Sequence, residues 1–363
     1  MDGEKMKNSE LAKGIIEKLE KEHLNLYHDV SKAEIQNYIQ SAQNIDTLSP
    51  VEFDCFMLRL FALFKDAHTS YFVPFKPTDH KIIFLNEKFY VSKDNDLIQI
   101  DKFGKLSADK FFEQLKLLIN FETQDWLNHK VSNYANNGYV YEMLGLSQNR
   151  SVDLTLSGGE KIRLNQTQEQ TKTKNTGSYD YKITEDNVLC LRYRRCVDDA
   201  DRPFDAFVRH IRKTIEEKNV KQYVLDLRGN SGGNSEILNP FQQLAKEKQL
   251  KGCVLIDNGV FSSGRFAVAR FKKDLGATLI GQPTGGAAKS YGYSKRLEFG
   301  GKEFSASTRL WDFSYVFGYE GAILPDIQVE VTADNVRRRE DVILDKAFEF
   351  LKRQKTSDVQ QEY

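Results

Sequence analysis

Two strand-to-helix turns, about thirty residues apart, constrain this chain more than any other feature of it. The first is Asp226-Leu-Arg-Gly-Asn-Ser-Gly-Gly233. The apolar run Tyr223 to Leu227 reads as a buried strand, the glycines as a turn, and a helix pattern starts near Ser235. The second follows the apolar run Cys253 to Ile256 and passes through Asp257 and Asn258 to Phe261-Ser262-Ser263-Gly264. Ala267, Phe271 and Leu275 then recur every fourth residue, which marks a helix. One turn is rich in bare backbone amides and the other carries serines. An acyl-transfer enzyme needs that pairing: a hydroxyl to attack, and N–H groups facing the oxyanion that attack creates.

The flanking pattern places these turns in an α/β layer. From Asn187 onward strands and helices alternate: strand Val188–Tyr193, a helix marked by Phe207, Ile211 and Ile215, the Asp226 strand, a helix from Ser235, the Val254 strand, the Ser263 helix, and strand Ala277–Gly281. Such alternation predicts a largely parallel sheet. A last helix is expected from about Asp341 to Lys352.

Upstream the character changes. The first 70 residues read as helical, with Leu11, Ile15 and Leu19 on one face and capping boxes at Ser31-x-x-Glu34 and Ser49-Pro50-x-Glu52. The helix from Pro50 to about Lys65 carries Phe53, Phe56, Met57, Leu60, Phe61, Leu63 and Phe64, so it should be buried. It ends at Asp66-Ala67-His68-Thr69-Ser70. Residues 82–158 alternate strand candidates (Lys81–Leu85, Phe89–Ser92, Leu97–Ile100, Val152–Leu156) with one helix, Ala108–Leu118. The polar stretch 160–180 suggests a linker or long hairpin. The expected organisation is a helical region over 1–75, a small β-rich domain with its linker over 76–180, an α/β domain over 181–355 and a polar tail over 356–363.

Composition narrows the function. Lys+Arg and Asp+Glu are both 52, so no basic excess points to nucleic acid and no basic amphipathic face points to a membrane. No run of about 18 apolar residues is present, so no transmembrane helix is expected. The polar start Met1-Asp-Gly-Glu-Lys leads into a helix pattern and does not resemble a signal peptide, which places a full-length chain in the cytoplasm. Cys55, Cys190, Cys196 and Cys253 form no C-x-x-C pair and read as buried, reduced thiols.

Taken singly, the candidate residues are ambiguous. Gly229-Asn230-Ser231-Gly232-Gly233 lacks the lysine of a phosphate-binding loop and the spacing of a dinucleotide fingerprint. That leaves a tight turn or an amide-lined hole at a helix start. Ser262-Ser263 reads as a helix cap or as a nucleophile beside a favourable dipole. His68 follows the C-terminal end of an apolar helix, where the macrodipole favours an imidazolium. Glu320, in Gly318-Tyr-Glu-Gly-Ala-Ile-Leu-Pro-Asp326, reads as a solvated loop carboxylate or as one that orients a histidine.

In order along the chain, these segments resemble the carboxyl-terminal processing (tail-specific) protease family of serine peptidases. The similarity is to the branch with tricorn protease and interphotoreceptor retinoid-binding protein rather than to the Ser/Lys branch. It rests on Glu22-His23-Leu-Asn-Leu-Tyr27, Lys65-Asp-Ala-His68-Thr, Asp226 to Gly233, Phe261-Ser-Ser263-Gly, Gly281-Gln-Pro-Thr-Gly-Gly286 and Glu320-Gly-x-x-x-Pro-Asp326-Ile, and so covers nearly the whole chain. The resemblance implies Ser263 as nucleophile, His68 as general base and Glu320 as the carboxylate that orients His68. It implies an oxyanion hole from the amides of Gly264 and of Gly232 or Gly233. It further implies a crotonase-like (ClpP-like) layered α/β catalytic domain, a PDZ-like character for the β-rich region, no metal or organic cofactor, and a peptide or protein substrate.

The chain departs from the family pattern at two places. The position of the Ser/Lys branch's lysine is Ala287, with Lys289 nearby as an alternative base, and the residue before His68 is Ala67 where the tricorn branch has serine. A silent relative that binds peptides through the same cleft and a crotonase-like acyl-CoA enzyme are the competing functions. Assembly into a homo-oligomer is left open.

Overall fold

The computed structural model describes residues 6–93, 96–167 and 177–361, with side chains described up to residue 355. The start Met1-Asp-Gly-Glu-Lys, the middle of the expected 160–180 linker and the last two residues of the expected tail lie outside the described residues. The chain is a mixed α/β protein with several sheets and divides into two compact units. One comprises Met1–Thr171 with Lys289–Trp311, the other Lys172–Ala288 with Asp312–Tyr363.

The first unit is built on the Pro50–Ala62 helix. Ser49 caps it, Glu52 closes the capping box, and Phe53, Cys55, Met57, Leu58, Leu60 and Phe61 are buried. The Lys32–Ser41 helix starts with the same device at Ser31 and Glu34. An antiparallel sheet runs through Ile82–Leu85, Lys88–Lys93, Asp96–Phe103, Ser151–Leu156 and Lys161–Asn165 in that order. Between Asp96–Phe103 and Ser151–Leu156 the chain forms three helices, Ala108–Lys116, Gln124–Ala135 and Gly138–Met143, where the sequence suggested one. The extra two are capped by Thr123 and Asn137, whose side chains accept from Trp126 and Tyr139 backbone amides. Trp126, Leu127 and Val131 give the longer one its buried face. The hairpin of strands Lys289–Phe299 and Lys302–Asp312 returns the chain to this unit, where Phe304 and Ala306 join the single core.

The second unit is the alternating α/β layer. Strands Val188–Tyr193, Gln222–Asp226, Lys251–Ile256, Thr278–Gly281 and Ile327–Gln328 run parallel, and Tyr179–Ile183 is antiparallel at one edge. Successive residues of each strand enter opposite cores. Leu189, Leu191, Tyr223, Leu225, Val254 and Ile256 pack with the helices Phe204–Lys218, Asn239–Glu247 and Ser263–Leu275. Val188, Cys190, Val224, Cys253 and Leu255 pack with Ile343, Ala347 and Leu351 of the Val342–Gln361 helix. A sheet covered on both faces explains why its strands read as continuous apolar runs.

Two further expectations need correction. The final helix continues to Gln361, past the expected end at Lys352. The helix expected from Ser235 begins only at Asn239. Gly233 forms a parallel bridge with Cys196, and the Asn234 amide donates to the Cys196 carbonyl (2.7 Å), so the chain stays extended past the glycines. Pro240 in the first turn then favours the later start. All four cysteines are buried free thiols. Burial raises the Cys55 thiol and pushes Cys190 and Cys196 up to about 11 and Cys253 up to about 12, which disfavours the thiolate in all four at neutral pH.

Candidate active site

The serine turn is shaped by backbone. Ser262 takes φ 48° and ψ −126°, and Ser263 is the first residue of the Ser263–Leu275 helix. A left-handed φ costs a serine roughly 1–3 kcal/mol, a strain that tends to persist where geometry serves function. Here the Phe261 amide donates to the Asn230 carbonyl (3.0 Å), and the Arg265 amide returns to the Ser262 carbonyl (3.1 Å). The fully buried Arg265 side chain also donates to the carbonyls of Ser262 and Ala287, tying the helix start to the segment after Gly286.

The glycine turn lies directly against it. A Cβ on Gly232 would sit 2.7 Å from the Ser263 nitrogen and 2.7 Å from the Ser262 Cβ, and one on Gly264 would sit 2.5 Å from the Asn230 carbonyl oxygen. Only glycine permits this approach. It brings the half-buried Ser263 hydroxyl within 2.6 Å of the Gly233 carbonyl, to which it donates. The three amides named from sequence differ in their partners. Gly264 donates to the Phe261 carbonyl (2.9 Å) and Gly232 to Asn230 Oδ1 (2.9 Å). Among the described residues, the Gly233 and Ser263 amides have no acceptor.

Glu320 belongs to the same unit. It is exposed, in the bend that follows the Ser314–Phe317 turn of helix. Asp326 is structural: it accepts from the Leu279 amide (2.7 Å) and pairs with Lys272. Asp312 accepts from the Ser314 amide (2.8 Å).

The histidine turn belongs to the first unit and is shaped by side chains. The buried His68 sits three residues past Lys65, whose φ of 50° ends the helical run. Asp66 is the hub. Its carboxylate accepts from the His68 amide (3.0 Å), Thr69 Oγ1 (2.6 Å) and His23 Nε2 (2.9 Å). His23 Nδ1 accepts from the Asn25 amide (2.9 Å), which fixes the proton on Nε2. Ser294 and Ser305 hydroxyls donate to the His68 carbonyl, and Asn120 donates to the carbonyls of Asp66 and Thr69. Burial alone would raise the Asp66 pKa. The bond from His23, attraction to His68 and the Thr69 bond outweigh it and hold the carboxyl well below its ordinary range.

A ligating atom from each of Asp66, His68 and Glu122 lies within 4.8 Å of the others, which makes this the one cluster of metal-ligand type among the described residues. Both Asp66 oxygens already accept hydrogen bonds from protein donors. Sequence reasoning missed Glu122 and His23. Glu122 carries no motif, and the motif that holds His23 gives its imidazole no role. Gly292 faces the ring edge, where an added Cβ would meet His68 Nε2 at 3.6 Å. Lys289 is half-buried at the first position of the Lys289–Phe299 strand.

No protein-family model matches the chain, and no curated protein matches it by sequence. Solved structures match over almost its whole length. Mature CPAF complexed with lactacystin aligns with a TM-score of 0.66 and 12% identity, covering 97% of this chain and 99% of that one. Mature CPAF alone aligns with a TM-score of 0.62 at 11% identity, covering 91% and 94%. A candidate peptidase from Parabacteroides merdae aligns with a TM-score of 0.51 at 14% identity, covering 94% and 96%. The chain thus shares the fold of these proteins.

Proposed function

We propose that the protein is a serine peptidase of the tail-specific protease type, acting through an acyl-enzyme. The observation that carries the reading is the serine turn itself. Ser263 opens a helix behind a strained Ser262, with its hydroxyl at the glycine turn and two amides, those of Gly233 and Ser263, left to donate. A strained strand-turn-helix elbow presents a serine hydroxyl in this way in α/β hydrolases, and amides beside it suit the oxyanion.

In this reading Ser263 Oγ attacks the scissile carbonyl carbon while His68 takes the hydroxyl proton. Negative charge develops on the carbonyl oxygen and is held by the Gly233 and Ser263 N–H groups, while the Gly264 N–H of the family pattern would first have to release the Phe261 carbonyl. His68 then delivers the proton to the departing amine. Water, deprotonated by His68, hydrolyses the acyl-enzyme and restores the hydroxyl. The hydroxyl must leave the Gly233 carbonyl to engage the base, a change consistent with catalytic bonds that tighten only on substrate binding.

The carboxylate that steadies His68 has two candidates. Glu320 is supported by the motif resemblance, and Glu122 by its place in the cluster with His68. The sheet covered by helices on both faces supports a crotonase-like layering of the second unit. The structural similarity to a candidate peptidase from Parabacteroides merdae supports peptide as the substrate class.

A fluorophosphonate probe tests the reading. Covalent labelling is expected in the native chain, lost in Ser263→Ala and strongly slowed in His68→Ala. A folded native chain that takes no label would make this a silent, ligand-binding relative.

A further inference from the structure

The first unit holds a cavity of about 230 Å³ that the proposed chemistry does not use. Its walls are mostly apolar, with Leu58, Phe61, Tyr71, Leu118 and Ile119 among them, and Trp126 and Lys130 of one helix also line it. A cavity of about 150 Å³ accommodates benzene in an engineered lysozyme, so this one has room for an aromatic ring and a few more atoms.

Two polar groups in the lining have unmet needs. Lys130 places its ammonium over the Trp126 ring, 5.4 Å from the centroid, and forms no ion pair among the described residues. Burial holds its pKa below the ordinary lysine value, and no nearby carboxylate offsets that effect. Asn120 spends its amide nitrogen on the carbonyls of Asp66 and Thr69, at 2.7 Å each. Its Oδ1 is buried with no donor. Leaving a buried acceptor unpaired is costly, because its lost hydration is not replaced. A ligand that supplies both an anion and a donor recovers both costs.

We infer that this cavity is a binding site for a small apolar carboxylic acid that carries one hydrogen-bond donor, of the kind found in an N-acylated apolar amino acid. The carboxylate pairs with Lys130, the N–H reaches Asn120 Oδ1, and the apolar group fills the space between Phe61, Tyr71 and Ile119. Ala67 and Ser70 also line the cavity, so an occupant touches the turn that carries His68. The site does not depend on the peptidase reading, and its binding is measured without turnover.

The chain has two tryptophans, Trp126 and Trp311, so a Trp311→Phe background leaves Trp126 as the only indole reporter. N-acetyl-L-phenylalanine is titrated against the full chain by fluorescence and calorimetry. N-acetyl-phenylalaninamide serves as the uncharged control and 3-phenylpropionate as the control without a donor. Saturable binding is expected for the acid, at least tenfold weaker for each control and at least tenfold weaker in Lys130→Met. Lys130→Arg, which keeps the charge, should retain most of it, and melting curves of both variants show whether they fold. A pentapeptide ending in phenylalanine separates the two sources of this chemistry: tighter binding than the free N-acyl acid names a peptide end, weaker binding a free acid. No saturable binding of either at millimolar concentration, or equal binding by folded Lys130→Met, overturns the site.

Discussion

The serine turn and the histidine turn are built by opposite means. At the serine turn, position is set by main chain: a left-handed Ser262, glycines that let two turns touch, and carbonyl–amide bonds between them. At the histidine turn, position is set by buried side chains around one carboxylate, with His23, Thr69 and Asn120 each holding one part. Backbone-built geometry is indifferent to pH and to most side-chain changes, but it fails where a Cβ is added. Side-chain-built geometry tolerates small shape changes and fails when its charge is removed. The contrast predicts which substitutions hurt each turn, and by what route.

The largest effect is expected at the serine turn. Ser263→Ala should lower kcat by on the order of 10⁴ or more with an unchanged melting temperature, because only the hydroxyl is lost. Gly233→Ala should lose comparable activity by a different route. Its Cβ would fall 2.2 Å from the Cys196 carbonyl oxygen, at a φ of 133°, so the turn itself must move. Peptidase assays with melting curves distinguish the two. A Gly233→Ala chain with native stability and native rate would break the claim that backbone approach positions this site.

Next comes the base. His68→Ala should be nearly inactive, by roughly 10³–10⁴ in kcat, while Lys289→Ala keeps most activity. With an imidazole base, kcat/KM should rise with pH through an apparent pKa near neutrality. The reverse ranking of the two variants would make Lys289 the base, and the histidine turn would then be merely structural.

The carboxylates follow. Glu320→Gln and Glu122→Gln each keep shape and remove charge. The one that orients the imidazolium should drop kcat by roughly 10²–10⁴ with KM little changed, and the other should stay near the native rate. A deficit in Glu122→Gln alone would make histidine and carboxylate neighbours in one unit and would correct the motif-based assignment of Glu320. Asp312→Asn is the third variant of the set, and a slow but stable Asp312→Asn beside a normal Glu320→Gln would move the role there.

Much of this was legible in the sequence, and the missed parts share a cause. Local signals were faithful: the capping boxes at Ser31 and Ser49, the apolar face around Phe53 and Phe61, and the parallel strands from Val188 to Gly281 all appear in the structure. What escaped depends on contacts distant in sequence. Gly233 bridges to Cys196, which delays the next helix to Asn239. Ser294 and Ser305, over two hundred residues downstream, hold the His68 carbonyl from a hairpin that no motif announced. Gln124–Ala135 lacked a strong apolar period, because its buried face is carried by few residues, Trp126, Leu127, Val131 and Ala135. For the site, the family-like motifs marked Ser263 and His68. Glu122 lies near His68, and His23 bonds to Asp66, only through tertiary position that a linear reading cannot assign.

A smaller effect separates the turns by pH. The folded Asp66 carboxyl sits below its ordinary pKa of about 3.9, so the folded state favours the charged form more than the unfolded chain does. Its contribution to stability is therefore complete above about pH 5 and is lost as the pH falls through the unfolded value toward the folded one. Asp66→Asn should cost about 1–3 kcal/mol at pH 7, and the gap to the native chain should narrow as the pH drops toward 3. Melting curves across that range decide it. A gap independent of pH would mean that shape, and not charge, holds the histidine turn.

The smallest expected effect lies in Ser262. Its φ of 48° is one that glycine adopts freely, and its side chain makes no cap bond to the helix that follows. Ser262→Gly therefore removes strain of roughly 1–3 kcal/mol from the folded state. The same change loosens the unfolded chain, which offsets about 0.5–1 kcal/mol of that gain. The net should be a slightly more stable protein, and Ser262→Ala, which keeps the strain, should lie close to the native chain. In both, kcat should stay within a few-fold of native, because the Gly232 contact and the Phe261–Asn230 bond still fix where Ser263 sits. Measured against Ser263→Ala, these two variants sharpen the contrast between the turns. If Ser262→Gly loses activity by orders of magnitude while gaining stability, the strain itself holds the nucleophile in place, and the close approach of the two turns is not enough.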